Sequence, residues 1–237
     1  MTMFGRRILR DADGAVLVEV TVMMTIIFIF VLGAIDFLFA FYQWNMAAKA
    51  AEVGARIATV SAPVVQTDLT VPTGLNTSAS SGSPGETLPS YTVICNGGIS
   101  TCTGCVNNAD KKPICNNGYN LAAMQTIVFG RPDPNDKSTN GQVKTTCSAT
   151  PTSFYYAGMC NMFDRITVAK VKVTYTNTGL GYAGRPGGLV PTITVQLQNI
   201  PFQFFFLGGL LGFANINIPA VTTTITGEDL CYSNACS

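Results

Sequence analysis

The sequence predicts an α+β fold. A long N-terminal helix, apolar enough to cross a membrane, continues into an antiparallel β-sheet domain with a short helix and disulfides. Three observations predict it. Between Glu19 and Lys49 lie 29 residues with a single charge, Asp36. All eight cysteines lie in the C-terminal 143 residues. From Asp164 onward, apolar residues alternate with Thr, Lys and Gln, the period of half-buried strands.

The helix comes first. The run from Val20 to Ile35 carries no charge and is followed by Phe37 to Trp44. A helix of about 20 apolar residues crosses a bilayer, so the run is long enough. Tyr42 and Trp44 suit the outer interface, where amphipathic rings settle. Arg6, Arg7 and Arg10 precede the run, which holds the N-terminus in the cytoplasm and sends the C-terminal region across. The alternative is a signal peptide cleaved at Ala48-Lys49-Ala50, whose apolar region would ordinarily be only about 7–15 residues long. Past the membrane, Met46, Ala50, Val53, Ile57 and Val60 form one apolar stripe, and Glu52 and Arg56 an i,i+4 pair. The stripe serves either the chain's own domain or a seam between subunits.

Residues 61–90 contain 18 Ser, Thr, Pro or Gly, the composition of a flexible linker. The domain at 91–237 opens on Cys95, Cys102, Cys105 and Cys115 and also carries Cys147, Cys160, Cys231 and Cys236. An even number of cysteines on the translocated side predicts disulfides. A zinc site of four cysteines would want a second Cys-x-x-Cys, and a redox pair at Cys102 and Cys105 would want a βαβ context. On chain proximity, Cys147–Cys160 and Cys231–Cys236 are the expected pairs.

A short helix is expected from Asn120 to Phe129, stopped by Gly130 and Pro132. The Asp133-Pro-Asn-Asp136 loop lacks calcium-loop spacing and reads as a solvated turn. Ile166 and Val168, then Val171, Val173 and Tyr175, read as a strand with a parity shift, hence a bulge. Ile193 to Leu197 gives a second strand and Asn215 to Thr226 a third. Between the last two, residues 200–213 hold five phenylalanines and no charge. That stretch is either core or a patch facing a partner or membrane.

Composition narrows function. Charged residues are 11% and the formal net charge is +1, so nothing supplies phosphate contacts and no nucleic-acid partner is expected. There is no histidine, which removes Ser–His–Asp and Cys–His catalysis and imidazole metal sites. With no nucleophile elbow and no paired acidic motif, the chain reads as a non-enzyme with no metal and no cofactor.

One spacing carries a resemblance. Gly14-Ala15-Val16-Leu17-Val18-Glu19 stands between a basic leader and an apolar helix, and here the chain resembles a prepilin. The resemblance implies that a prepilin peptidase cuts between Gly14 and Ala15 and that Glu19 becomes the fifth mature residue, able to neutralise the new ammonium in a low dielectric. Together with Leu32-Gly33-Ala34-Ile35-Asp36 and Ala47 to Arg56, residues 14–60 are similar to the TadE-like family of tight-adherence (Flp/Tad) pilus biogenesis proteins. Residues 164–230, ending in Thr226-Gly227-Glu228-Asp229-Leu230, also look like the later part of such domains. Val20 stands where an aromatic residue is common in the family, and major pilins are very short. The large cysteine-bearing domain therefore favours a minor pilin or pseudopilin.

The resemblance implies a pilin-like arrangement: leader 1–14, membrane and extended helix 15–60, linker 61–90, and a periplasmic domain 91–237. It also implies a single-pass inner-membrane location, with the prepilin peptidase, other pilins and pseudopilins, and the inner-membrane assembly platform as partners. Asp36 reads either as an assembly residue pairing with a partner's cation or polar group, or as an acid snorkelling to the interface. The alternative function is an unprocessed, single-span, membrane-anchored binding protein.

Overall fold

The computed structural model describes residues 12–66, 91–104, 106–107, 113–114, 118–133, 135, 142–147, 153–180, 190–202, 204–206, 208, 216–217 and 219–227. The chain is α+β. A 48-residue helix, α1 (Ala12–Thr59), precedes an antiparallel sheet, with two short helices, α2 (Leu121–Phe129) and α3 (Met159–Met162). It divides into two compact units: residues 1–43 with 201–216, and residues 44–200 with 217–237.

The strands are, in chain order, β1 (Thr92–Asn96), β2 (Thr101–Thr103), β3 (Val106–Asn107), β4 (Pro113–Ile114), β5 (Val171–Thr176), β6 (Thr192–Leu197), β7 (Pro201–Phe202), β8 (Ile216–Asn217) and β9 (Val221–Thr226). In the larger unit, five of them pair throughout in antiparallel fashion in the order β2-β1-β5-β6-β9. The period-2 pattern decides which face is buried. Val93 and Cys95, then Val171, Val173 and Tyr175, then Ile193, Val195 and Leu197 are all buried. Register follows that face, with Val173 opposite both Cys95 and Val195. The two-residue pairs β3 with β4 and β7 with β8 make separate small ribbons.

Local sequence explains α2. Asn120 caps it, its side chain accepting from the backbone N–H of Ala123 at 3.2 Å. Ala123, Met124, Ile127 and Val128 form its buried face. Gly130, at φ 93°, ends it where a side chain would collide with the Tyr156 carbonyl 2.1 Å away.

Several expectations are corrected. Of the expected stripe of α1, Ala50 and Ile57 are buried, but so are Ala47, Ala51, Gly54, Ala55 and Ala58, while Val60 is exposed and Met46 and Val53 are half-buried. Small residues bring the helix backbone close to its neighbours: a Cβ on Gly54 would lie 2.4 Å from the Met159 sulfur. The chain does not loosen at residue 61. Val64 and Val65 are buried, Val65 bridges Tyr119, the Val64 N–H donates to the Tyr175 hydroxyl at 2.9 Å, and its carbonyl accepts from Asn120 at 2.7 Å. Two adjacent valines are thus packed despite the polar composition that follows; residues 67–90 lie outside the described residues. The parity shift before β5 is a 3-10 turn at Val168–Lys170 instead of a bulge. The last strand is interrupted, for Pro219 has no N–H to give the ladder and β9 begins after it. Asp133 is 1% exposed and accepts from the Asn135 N–H at 2.8 Å, so it is a buried Asx turn and not a solvated one; Asp136 is outside the described residues.

Disulfides join Cys95 to Cys102 and Cys147 to Cys160. The first links directly opposed residues of β1 and β2, a pairing the spacing of the cysteines did not single out. Cys105, Cys115, Cys231 and Cys236, and with them the expected Cys231–Cys236 pair, lie outside the described residues.

Candidate functional site

The candidate site is the membrane-length part of α1 together with the segment that returns to it. Most large apolar side chains from Val16 to Tyr42 face outward, the reverse of a soluble helix and the pattern of one solvated by lipid. Its threonine hydroxyls are satisfied within the helix. The Thr21 hydroxyl donates to the Val18 carbonyl and the Thr25 hydroxyl to the Thr21 carbonyl, both at 2.8 Å.

The predicted site residues are distributed along this helix and not gathered. Gly14 and Ala15 lie in helical backbone, Gly14 half-buried and Ala15 exposed, and Glu19 is exposed one turn later. Asp36 lies about 26 Å further along at 1.5 Å per residue and, at about 100° per residue, on another face. Unlike Glu19, Asp36 is 0% exposed.

What buries Asp36 is the phenylalanine-rich segment. Its carboxylate accepts the backbone N–H of Phe205 at 3.0 Å, and that of Phe206 at 3.3 Å on one oxygen and 3.0 Å on the other. The Phe205 ring packs on Phe39, one helical turn from Asp36, with centroids 4.8 Å apart. Phe202 and Phe204 make an edge contact at 4.6 Å. The two readings of Asp36, a partner's cation or the interface, are thus joined by a third: an internal acceptor for the chain's own amides. The two readings of residues 200–213 are divided residue by residue, since Phe202 is buried whereas Phe205 and Phe206 are 64% and 42% exposed.

Beyond that segment, Glu52 accepts from Lys49 at 2.8 Å and Arg56 at 2.6 Å, all three at the surface. Arg131 donates to the Val60 carbonyl at 3.2 Å, just past the end of α1, and to the Tyr155 hydroxyl. Sequence reading missed the amides of Phe205 and Phe206, because backbone donors leave no signature. The signal for them was indirect: an acid deep in an apolar span requires a donor, and one charge-free segment elsewhere was apolar enough to reach it.

The helix is long and apolar enough to cross a membrane. Residues 14–56 match the family described as TadE-like protein, a family associated with the Tad pilus. The match covers most of the helix, with Glu19, Asp36 and Glu52 in it, while residues 164–230 lie outside it. No curated protein and no solved structure matches the chain.

Proposed function

We propose that the chain is a membrane-inserted, TadE-like minor pilin or pseudopilin that acts in assembly or initiation of a tight-adherence pilus, working by helix packing and partner docking. One observation carries the reading: the TadE-like match at 14–56 falls on a single uninterrupted helix that bears Gly14-Ala15 and Glu19 at the prepilin spacing and Asp36 late in the span. In this reading a prepilin peptidase removes residues 1–14 on the cytoplasmic face. The helix then stays in the inner membrane, the cysteine-bearing domain lies in the periplasm, and other pilins and the assembly platform meet the helix. Glu19 is exposed and is the acid nearest the new Ala15 ammonium. Asp36 already takes two amides of its own chain, so Glu19 is the better counter-charge in an assembly.

The experiment is Glu19→Ala. Breaking a buried ion pair costs about 3–5 kcal/mol, so the variant should insert and be cleaved but no longer co-isolate with pilin partners. Normal co-isolation and normal piliation would refute the role of Glu19.

The unprocessed, anchored binding protein draws support from a different observation. α1 begins at Ala12, so Gly14-Ala15 is held in helical hydrogen bonding, whereas a peptidase acts on backbone it can grip in extended form. The N-terminal residue of the mature protein separates the two readings.

A further inference from the structure

We infer that the segment around Phe204–Phe206 is a second membrane contact, seated in the outer leaflet of the bilayer with its backbone pinned by Asp36. The inference rests on the reading of α1 as a membrane anchor and adds a surface that reading does not contain.

Depth is the first argument. Tyr42 marks the outer interface, and about 20 residues of helix fill the hydrocarbon. Counting back from Tyr42 starts the hydrocarbon near Val22, three residues past Glu19, which leaves that acid at the inner interface. Asp36 then lies six residues below Tyr42, about 9 Å at the helical rise and well inside the outer half of a bilayer core about 30 Å thick. The amides of Phe205 and Phe206 are within hydrogen-bond distance of Asp36, so they lie at the same depth.

Chemistry is the second argument. Non-helical backbone at membrane depth survives only where its amides find partners. A carboxylate in the span is equally costly unless donors meet it. Asp36 and the two amides answer both requirements at once. The rings complete the match: Phe205 packs on Phe39 of α1, while Phe205 and Phe206 stay exposed, as do Phe37 and Leu38 next to Asp36 in the helix. An exposed apolar surface joined to a spanning helix at Phe39, at the depth of the acyl chains, has lipid as its partner.

The test uses the full chain in vesicles of phosphatidylethanolamine and phosphatidylglycerol whose acyl chains carry bromine, a short-range quencher of tryptophan. The single native tryptophan is removed by Trp44→Phe, and one reporter is added at a time: Phe206→Trp, Phe205→Trp, or Phe28→Trp in the middle of the span. All three are expected to lose most of their emission. A quenched Phe28→Trp with unquenched Phe206→Trp and Phe205→Trp overturns the loop contact and leaves the anchor standing. An unquenched Phe28→Trp overturns the anchor and the inference with it. Adding Asp36→Leu to Phe206→Trp should restore emission toward its level in unbrominated vesicles, whereas undiminished quenching would overturn the pin.

Discussion

The carboxylate of Asp36 accepts the amide of Phe206 through both of its oxygens, at 3.3 and 3.0 Å, across 170 positions of chain. A charge that would be a liability in an apolar span is thereby turned into the acceptor that lets a loop lie against that span. Hydrogen bonds to a charged group contribute about 1.5–3 kcal/mol each, and a donor left buried without a partner costs about 1–3 kcal/mol.

Asp36→Ala should therefore release the loop without unfolding the sheet domain. Amide hydrogen exchange at Phe205 and Phe206 is the direct readout, and protection equivalent to about 2 kcal/mol or more should be lost. Asp36→Asn keeps one carbonyl acceptor and should retain part of it. Unchanged protection in the alanine variant would show that the rings, and not the carboxylate, hold the segment.

Two glycines should respond differently to alanine. A Cβ on Gly158 would lie 2.2 Å from the Gly130 nitrogen and 2.4 Å from the Phe129 carbonyl carbon, both backbone. Backbone in a packed core cannot step aside, so Gly158→Ala should cost about 3 kcal/mol. The three atoms nearest a Cβ on Gly54 all belong to the flexible Met159 side chain, which can turn. The gain of about 1 kcal/mol in helix propensity offsets that adjustment, so Gly54→Ala should fall within about 1 kcal/mol of the parent. Denaturant unfolding of the two variants checks the order.

Each disulfide should contribute to the stability of the sheet domain, with slightly more from the one that closes the longer loop. Cys147–Cys160 spans 13 positions and Cys95–Cys102 spans 7. Loop-closure entropy gives about 3 and about 2.5 kcal/mol respectively. Paired alanine replacements followed by thermal unfolding test this, and α1 should keep its helicity in both.

The Tyr119 hydroxyl is buried with no hydrogen-bond partner among the described residues, and burial pushes its pKa up. Tyr119→Phe should be neutral or stabilising by up to about 1 kcal/mol. The sign of its pH effect follows from proton counts. Above about pH 10 the unfolded chain has lost this proton while the folded chain keeps it, so stability present below the unfolded pKa is lost as pH rises toward the folded one. Alkaline unfolding of the phenylalanine variant should lack that share of the loss.

The fold was legible wherever periodicity coincided with burial. The charge-free run gave α1, Asn120 and Gly130 bracketed α2, and alternation gave β5 and β6. It failed where packing depended on partners distant in sequence. β1 pairs with β5 across nearly eighty residues, and its Thr92–Asn96 core was hidden among cysteines. The helix stripe was right at Ala50 and Ile57 and wrong at Met46, Val53 and Val60, because large residues draw attention while most of the buried face is alanine. Asp36 was visible as an anomaly, but its partners were backbone groups, which every residue carries alike.

The central claim is that this helix is a processed pilin-type anchor, and the N-terminal residue of the protein isolated from its host membranes tests it most directly. Mass spectrometry of the N-terminal peptide should find a chain beginning at Ala15 with a free amine, and Gly14→Leu should block that cut. A wild-type chain that still carries Arg6, Arg7 and Arg10 would contradict the account and favour the unprocessed anchor.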